Sequence, residues 1–419
     1  MNRLKTFSTI ALFLVSSAAI STQAAEEPAK GSLTPAAELK AQTPLSNESL
    51  VREGKASLDR GVAYLLGKQA EDGSWGSHPA ITALVCTALK NSLPCSKNDK
   101  VMPAVEKGRN YILKFVQPDG SIWMAGKERE FPSYSTSIIL TGLAIFGHPE
   151  DEDVMRGARK YLIGSQIDES KGVQKDNAAY GGIGYDSKGL GRDGKPHADL
   201  SNTQWAMEAL YMSDFLDKEP KAKNTDDAKK SELAWGKAVA FVSRLQHLPE
   251  SNDRTWVVSD KNDSNYGGFI YRQPESQDNE NAGAKQSLRS YGSMTYAGLK
   301  TMIYAKLSKD DPRIKAAIEW ARKNYTLDEN PGVGPSGLYY YITTFAKAHS
   351  VLGDEIVKTD DGKEHSWRMD MIKKLLELQK GNGEWFNENG RWMESMPELV
   401  SAYALLSMEA ALLPSLAKQ

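Results

Sequence analysis

The feature that most constrains this 419-residue chain is an internal repetition. Arg60-Gly61-Val62-Ala63-Tyr64-Leu65 runs on to Gln69, turns at Asp72-Gly73-Ser74-Trp75-Gly76 and resumes at Ala80-Ile81-Thr82-Ala83-Leu84. Asp-Gly is a turn signal, so the unit reads as helix, tight turn, helix. A second copy runs from Lys107-Gly108 through Tyr111-Ile112, Gln117 and Asp119-Gly120-Ser121 to Trp123, with its second helix expected near Ser135 to Phe146. The third opens at Arg156-Gly157, carries Tyr161-Leu162 and Gln166, and reaches Tyr180-Gly181-Gly182-Ile183-Gly184-Tyr185 before a helix over Ser201 to Met212. The fourth holds Trp235-Gly236-Lys237, Phe241-Val242, Gln246, Tyr266-Gly267-Gly268-Phe269 and a helix from Ser293 to Ala305. The fifth is degenerate: Lys315 to Tyr325, a Pro331-Gly332 break, then Leu338 to Val351. Leu375-Leu376, Gln379, Gly383-Glu384-Trp385 and Pro397 to Leu412 form the sixth.

Within a unit the two helices differ. The first sets Lys and Arg on one face and apolar residues on the other, which predicts a solvent-facing outer helix. The second is nearly uncharged in several units; Ser133 to Gly147 has no ionisable side chain except Tyr134. A helix apolar all round must be buried. The expected fold is all-α, a closed (α/α)6 toroid of six helical hairpins, because closure removes the apolar ends that an open array must cap. Trp75, Trp123 and Trp385 are expected at one turn position, with Tyr185 and Phe269 in place of the ring in the third and fourth units. There the indole covers a helix junction and its N–H finds a partner.

Ahead of the repetition, Arg3 and Lys5 precede an apolar run from Thr9 to Ile20, and Thr22-Gln23-Ala24 supplies small residues. That order reads as a signal peptide over 1–24 and predicts export to the periplasm or beyond. The run is too short for a permanent membrane anchor. Residues 25–54 read as a flexible leader, 55–413 as the toroid and 414–419 as a tail. A net charge of −2 leaves no basic footprint for nucleic acid. Cys86 and Cys95 are the only cysteines; their spacing leaves a disulfide open, and they build no metal site by themselves. The Asp260-to-Asn265 loop lacks the closing Glu of a calcium loop, so no cofactor is expected.

The pattern Arg-Gly-x-x-Tyr-Leu-x-x-x-Gln followed by Gly-x-Trp, from Arg60 to Trp75, resembles the Gln-Trp repeat of squalene–hopene cyclases, whose toroid also occurs in protein prenyltransferase β subunits. The resemblance covers roughly 55–413. It implies a central cavity for an apolar or isoprenoid-like ligand and, if activity follows, isomerase-type cyclisation begun by the middle Asp of an Asp-x-Asp-Asp-Thr segment. Here that segment reads Asp199-Leu200-Ser201-Asn202-Thr203, so Ser201 stands at the donor position and Asp199 is the remaining catalytic candidate. A hydroxyl is no strong acid near neutral pH. Asp199 also reads as a helix cap, kept ionised by backbone N–H groups and the helix dipole. The zinc ligands of the prenyltransferases have no counterpart across Arg289 to Leu299.

If the ring closes, the starts of the inner helices share one opening. The candidate rim is His78, Tyr134, Asn202, Arg289, Tyr291, Tyr340 and Glu394, with His197, Tyr339, Tyr341 and Glu398 nearby. Two other readings stay open at this point. Carboxylates and aromatics at such a rim suit a carbohydrate-active (α/α)6 enzyme taking a glycan, and a filled lumen suits a non-catalytic interaction scaffold.

Overall fold

A computed structural model describes residues 46–416 apart from 127–130, 192–193, 219, 224 and 274–287. The expected signal peptide therefore lies outside the described residues. Twelve α-helices carry the described chain: α1 Ser46–Gly67, α2 Pro79–Ser92, α3 Val101–Ile112, α4 Pro132–Phe146, α5 Glu152–Ser165, α6 Leu200–Met212, α7 Thr225–Ser243, α8 Gly292–Tyr304, α9 Pro312–Lys323, α10 Leu338–Leu352, α11 Trp367–Leu378 and α12 Pro397–Leu416. A short antiparallel hairpin, β1 Ile356–Lys358 and β2 Glu364–Ser366, links α10 to α11.

Burial sorts these helices into two layers. In α4, 13 of 15 residues are buried. In α5 only 6 of 14 are, and they recur at helical spacing as Met155, Ala158, Arg159, Tyr161, Leu162 and Ser165. The even-numbered helices pack in a circuit, α2 on α4, α4 on α6, α6 on α8, α8 on α10, α10 on α12 and α12 back on α2. The odd-numbered helices lie outside them; α1 packs on both α11 and α12, joining the two ends of the chain.

Specific side chains hold neighbouring hairpins together. The amide of Gln69 donates to Gly73 O in its own turn (3.0 Å) and to Ala104 O of α3 (2.8 Å). Gln166 bridges Gly181 O and Ala234 O, and Gln246 bridges Gly267 O and Arg313 O. Gln379 does the same between Gly383 O and Ser57 O, across 322 residues of sequence. These bonds satisfy turn carbonyls that burial would otherwise strand. Gly383 shows why the turn needs glycine: its φ is +92°, and a Cβ there would sit 2.6 Å from Arg60 O.

The indoles of Trp75 and Trp385 donate to Leu65 O and Leu375 O, and their backbone N–H groups donate to Thr82 Oγ1 and Ser401 Oγ. In the second unit, Ile122 N makes the equivalent bond to Thr136 Oγ1, while Trp123 sits one place beyond it and donates to Ser121 Oγ. The turns themselves align, since Gly108 and Gly120 are spaced as Gly61 and Gly73 are, and Gln117 N pairs with Ser121 O as Ala70 N pairs with Ser74 O. One residue more between the turn glycine and the indole, Ile122, puts Trp123 beyond the junction. The third unit likewise uses Ile183, bonded to Thr203, rather than Tyr185. Phe269 occupies its expected place, bonded to Thr295.

Several boundaries differ from expectation. Helix α1 begins at Ser46, inside the expected leader, because Leu50 and Val51 already pack on the core and Gly54 meets Ile372 and Leu412. Helix α12 runs on to Leu416, inside the expected tail, and α7 starts at Thr225. Both cysteines are free thiols; burial pushes the Cys95 thiol up to about 12.

Candidate functional site

The inner helices start at one end of the ring. Pro132 and Pro79 open α4 and α2, where a missing N–H is harmless, and His78 caps α2 by accepting from Ala80 N through Nδ1 (3.2 Å). Between these starts lies a cavity of about 1540 Å³, larger than the ~300–1,000 Å³ of ordinary small-molecule clefts. Of the candidate rim residues, His78, Tyr134, Arg289, Tyr291 and Tyr340 line it. Its apolar wall comes from Ile81, Leu84, Ile138, Met294 and Leu399, which follow the rim residues by one helical turn or so.

Three candidates do not reach the cavity. Asp199 is fully buried and caps α6, accepting from Asn202 N (2.8 Å) and Asn202 Nδ2 (2.7 Å). Burial raises its pKa despite those bonds, because loss of water outweighs the cap. Asn202 spends its amide on Asp199. Glu394 is buried and serves α10 from another segment, accepting from Tyr340 N (2.8 Å) and Asn387 Nδ2 (2.6 Å); burial raises its pKa too. Helical phase removes two more of the nearby residues. Tyr339 and Tyr341 flank Tyr340 but point away, their hydroxyls donating to Phe386 O and Thr326 O. His197 pairs with Arg272, and Glu398 acts on Tyr64 of the outer layer.

What lines the cavity in their place is phenolic and cationic. Tyr340 OH shares a hydrogen bond with Ser201 Oγ (3.1 Å) and accepts from Gln204 Nε2 (3.1 Å). Tyr134 OH accepts from Trp205 Nε1 (3.0 Å), and the hydroxyls of Tyr185 and Tyr271 meet at 2.8 Å. Burial lifts Tyr134 to about 12 and holds Tyr340 and Tyr403 well above the usual phenol range, so these rings are neutral hydrogen-bonding groups at neutral pH. Tyr271, Arg272, Arg391, Trp392, Met396 and Tyr403 also line the cavity and went unmarked in the sequence, and Tyr185, expected there only at a turn, lines it too. Position alone signals some of them: Arg391 to Met396 precedes α12 as His78 precedes α2, and Tyr403 follows Leu399 on the same helix face. No carboxylate lines the cavity among the described residues.

Below the phenols the lumen is filled. Trp205 is 2% exposed, and beneath it Glu208 forms ion pairs with Lys300 and with Lys347 (2.6 Å). The Lys347 ammonium lies 4.6 Å from the Trp205 ring centre.

Two concentric helical layers around a one-ended cavity make this an α/α toroid. Among solved structures the chain is similar to the type II terpene cyclase MstE from Scytonema bound to its product merosterolic acid A (TM-score 0.52, 13% identity, 89% of this chain and 99% of that one). The complex of MstE with the substrate geranylgeranyl dihydroxybenzoate is similar to the same degree (0.51, 13%, 87% and 99%). So is a D-mannose isomerase (0.55, 11%, 90% and 100%). At such identities the likeness is one of fold. No family model matches the sequence, and no curated protein does.

Proposed function

We propose that this is an exported toroid protein whose cavity binds an apolar or isoprenoid-like ligand. The observation that carries the reading is the wall of Ile81, Leu84, Ile138, Met294 and Leu399 around about 1540 Å³ of space, since an apolar surface of that size gains most by leaving water. Neutral tyrosine hydroxyls orient a ligand in such a place without the cost of burying a charge.

Binding is favoured over cyclisation. Ser201, at the position of the proton donor, hydrogen-bonds Tyr340, and the phenols around it are too weakly acidic to protonate an alkene. Asp199, the acid that a cyclase reading requires, lies behind Ser201 with its oxygens taken by Asn202. Export rests on the basic start and apolar run ahead of Ala24. A glycan is the second reading, favoured by the exposed Trp392 beside Arg391 at the cavity mouth, a stacking platform next to a hydrogen-bonding cation. Native mass spectrometry of the protein from periplasmic extracts, followed by lipid extraction, tests the first reading. Copurified polyprenoid is the expected result. A screen in which oligosaccharides bind and no apolar ligand does would overturn it.

A further inference from the structure

The charge around the cavity is one-sided. The chain as a whole carries a net charge of −2, yet Arg272, Arg289 and Arg391 line this space, and no acidic residue does among the described residues. Arg289 and Arg391 are both exposed, and a cleft lined by one sign of charge raises the local concentration of the opposite ion.

Two of these arginines are held in place by other means than ion pairs. Arg289 donates from Nη1 to Gly332 O (3.1 Å), a carbonyl in the connection to α10. Arg391 lies over the Trp392 ring, 4.9 Å from its centre. A guanidinium stacked on a ring keeps its N–H fork in its own plane, where it can meet an oxyanion with two parallel bonds. Neither Arg289 nor Arg391 has a carboxylate partner among the described residues.

The backbone there is built for this placement. Trp392 and Met393 both have positive φ, +56° and +67°, a conformation that residues with a Cβ rarely adopt singly and more rarely in succession. Two contacts keep it. Glu394 is locked onto the start of α10, and the Trp392 ring rests against Gly337, where a Cβ would lie 2.3 Å from it. The result sets an arginine and an aromatic ring at the mouth, above the apolar wall.

We propose that the ligand is an amphiphile with an oxyanion head, a carboxylate or a phosphate, held by Arg289 and Arg391 while its apolar chain lies against Ile81, Ile138 and Met294. This rests on the apolar-ligand reading above and narrows it.

The test uses the mature chain and four probes with one chain in common: dodecyl phosphate, dodecanoate, dodecanol and dodecyltrimethylammonium, titrated calorimetrically below their micelle concentrations. The expected order places at least one anion about tenfold or more tighter than the alcohol, as charge-assisted bonds predict, with the cation weakest. Whichever anion leads identifies the head. Arg289→Ala with Arg391→Ala brings the anions to parity with dodecanol and changes dodecanol affinity by less than about twofold. Should the double variant fail to fold, salt gives a second readout on the unaltered protein. About 0.5 M NaCl weakens the anions severalfold and spares the alcohol. Equal affinity of anion and alcohol for the unaltered chain overturns the head assignment and leaves the apolar reading standing. Failure of dodecanol and the anions alike overturns both.

Discussion

The two halves of the lumen use the inner helices to opposite ends. At the mouth, helix starts and their loops contribute Tyr134, Ser201, Tyr291 and Tyr340 around open space. One or two turns further along the same helices, Trp205, Glu208, Lys300 and Lys347 fill the axis with an indole and a buried ionic cluster. Burial alone would raise Glu208, but the two ammonium groups overcome it and hold the carboxylate down to about 2. Burial lowers Lys300 to about 8; the pull of Glu208 offsets this only in part, and the Lys347 ammonium adds to the lowering. Neutral hydroxyls can border a void that a ligand will fill, whereas charges must be matched at once. The difference assigns recognition to the mouth and structural integrity to the floor.

The sharpest way to break that division is Glu208→Ala. It strands Lys300 and Lys347 without a counter-charge and should cost about 3–5 kcal/mol of stability, read as the urea midpoint, while the affinity of the mouth for its ligand stays put. A ligand affinity that fell in proportion would mean that the floor belongs to the site.

The floor should also leave a pH signature. Lys300 has a folded pKa of about 8 against an ordinary value of 10.5, so between those values the unfolded chain binds a proton that the folded one releases. Stability contributed by this group is therefore complete above 10.5 and declines as pH falls towards 8. The slope is at most about 1 kcal/mol per pH unit, and Lys300→Met should abolish it in matched melts.

Trp205→Phe sharpens the boundary between the halves. It removes the indole donor to Tyr134 and weakens the stacking of Lys347, for an expected loss of about 1–2 kcal/mol. Unlike the Glu208 change, it should also alter ligand affinity. Smallest is Tyr340→Phe, which deletes the hydroxyl shared with Ser201 and Gln204. Stability should move by no more than about 1 kcal/mol, since Ser201 can turn to a ligand or water, and any larger effect should appear in binding.

Much of the architecture was legible in the residues. Uncharged stretches such as Ser133 to Gly147 predicted buried helices, and α4 is buried on nearly every side. The sixth Gln and Gly, Gln379 and Gly383, marked the turn that ties the last hairpin to Ser57 and Arg60 of the first. Alignment by residue type failed where spacing changed, at Trp123, because one extra residue, Ile122, between Gly120 and the indole shifts the ring out of the junction. At the rim, helical phase kept Tyr340 and turned Tyr339 and Tyr341 away. Capping drew Asp199 and Glu394 into the wall.

By itself, then, the sequence determined which segments are helices, which are buried and how consecutive pairs connect, because those properties depend on residues a few places apart. Tertiary structure alone decided the pairing of Glu208 with Lys300 and Lys347, 92 and 139 residues away, and the placing of Arg289 and Arg391 on the lining of one cavity. Electrostatic interaction and shape act through space, and no local pattern records which distant side chain the closing of the circuit will bring near.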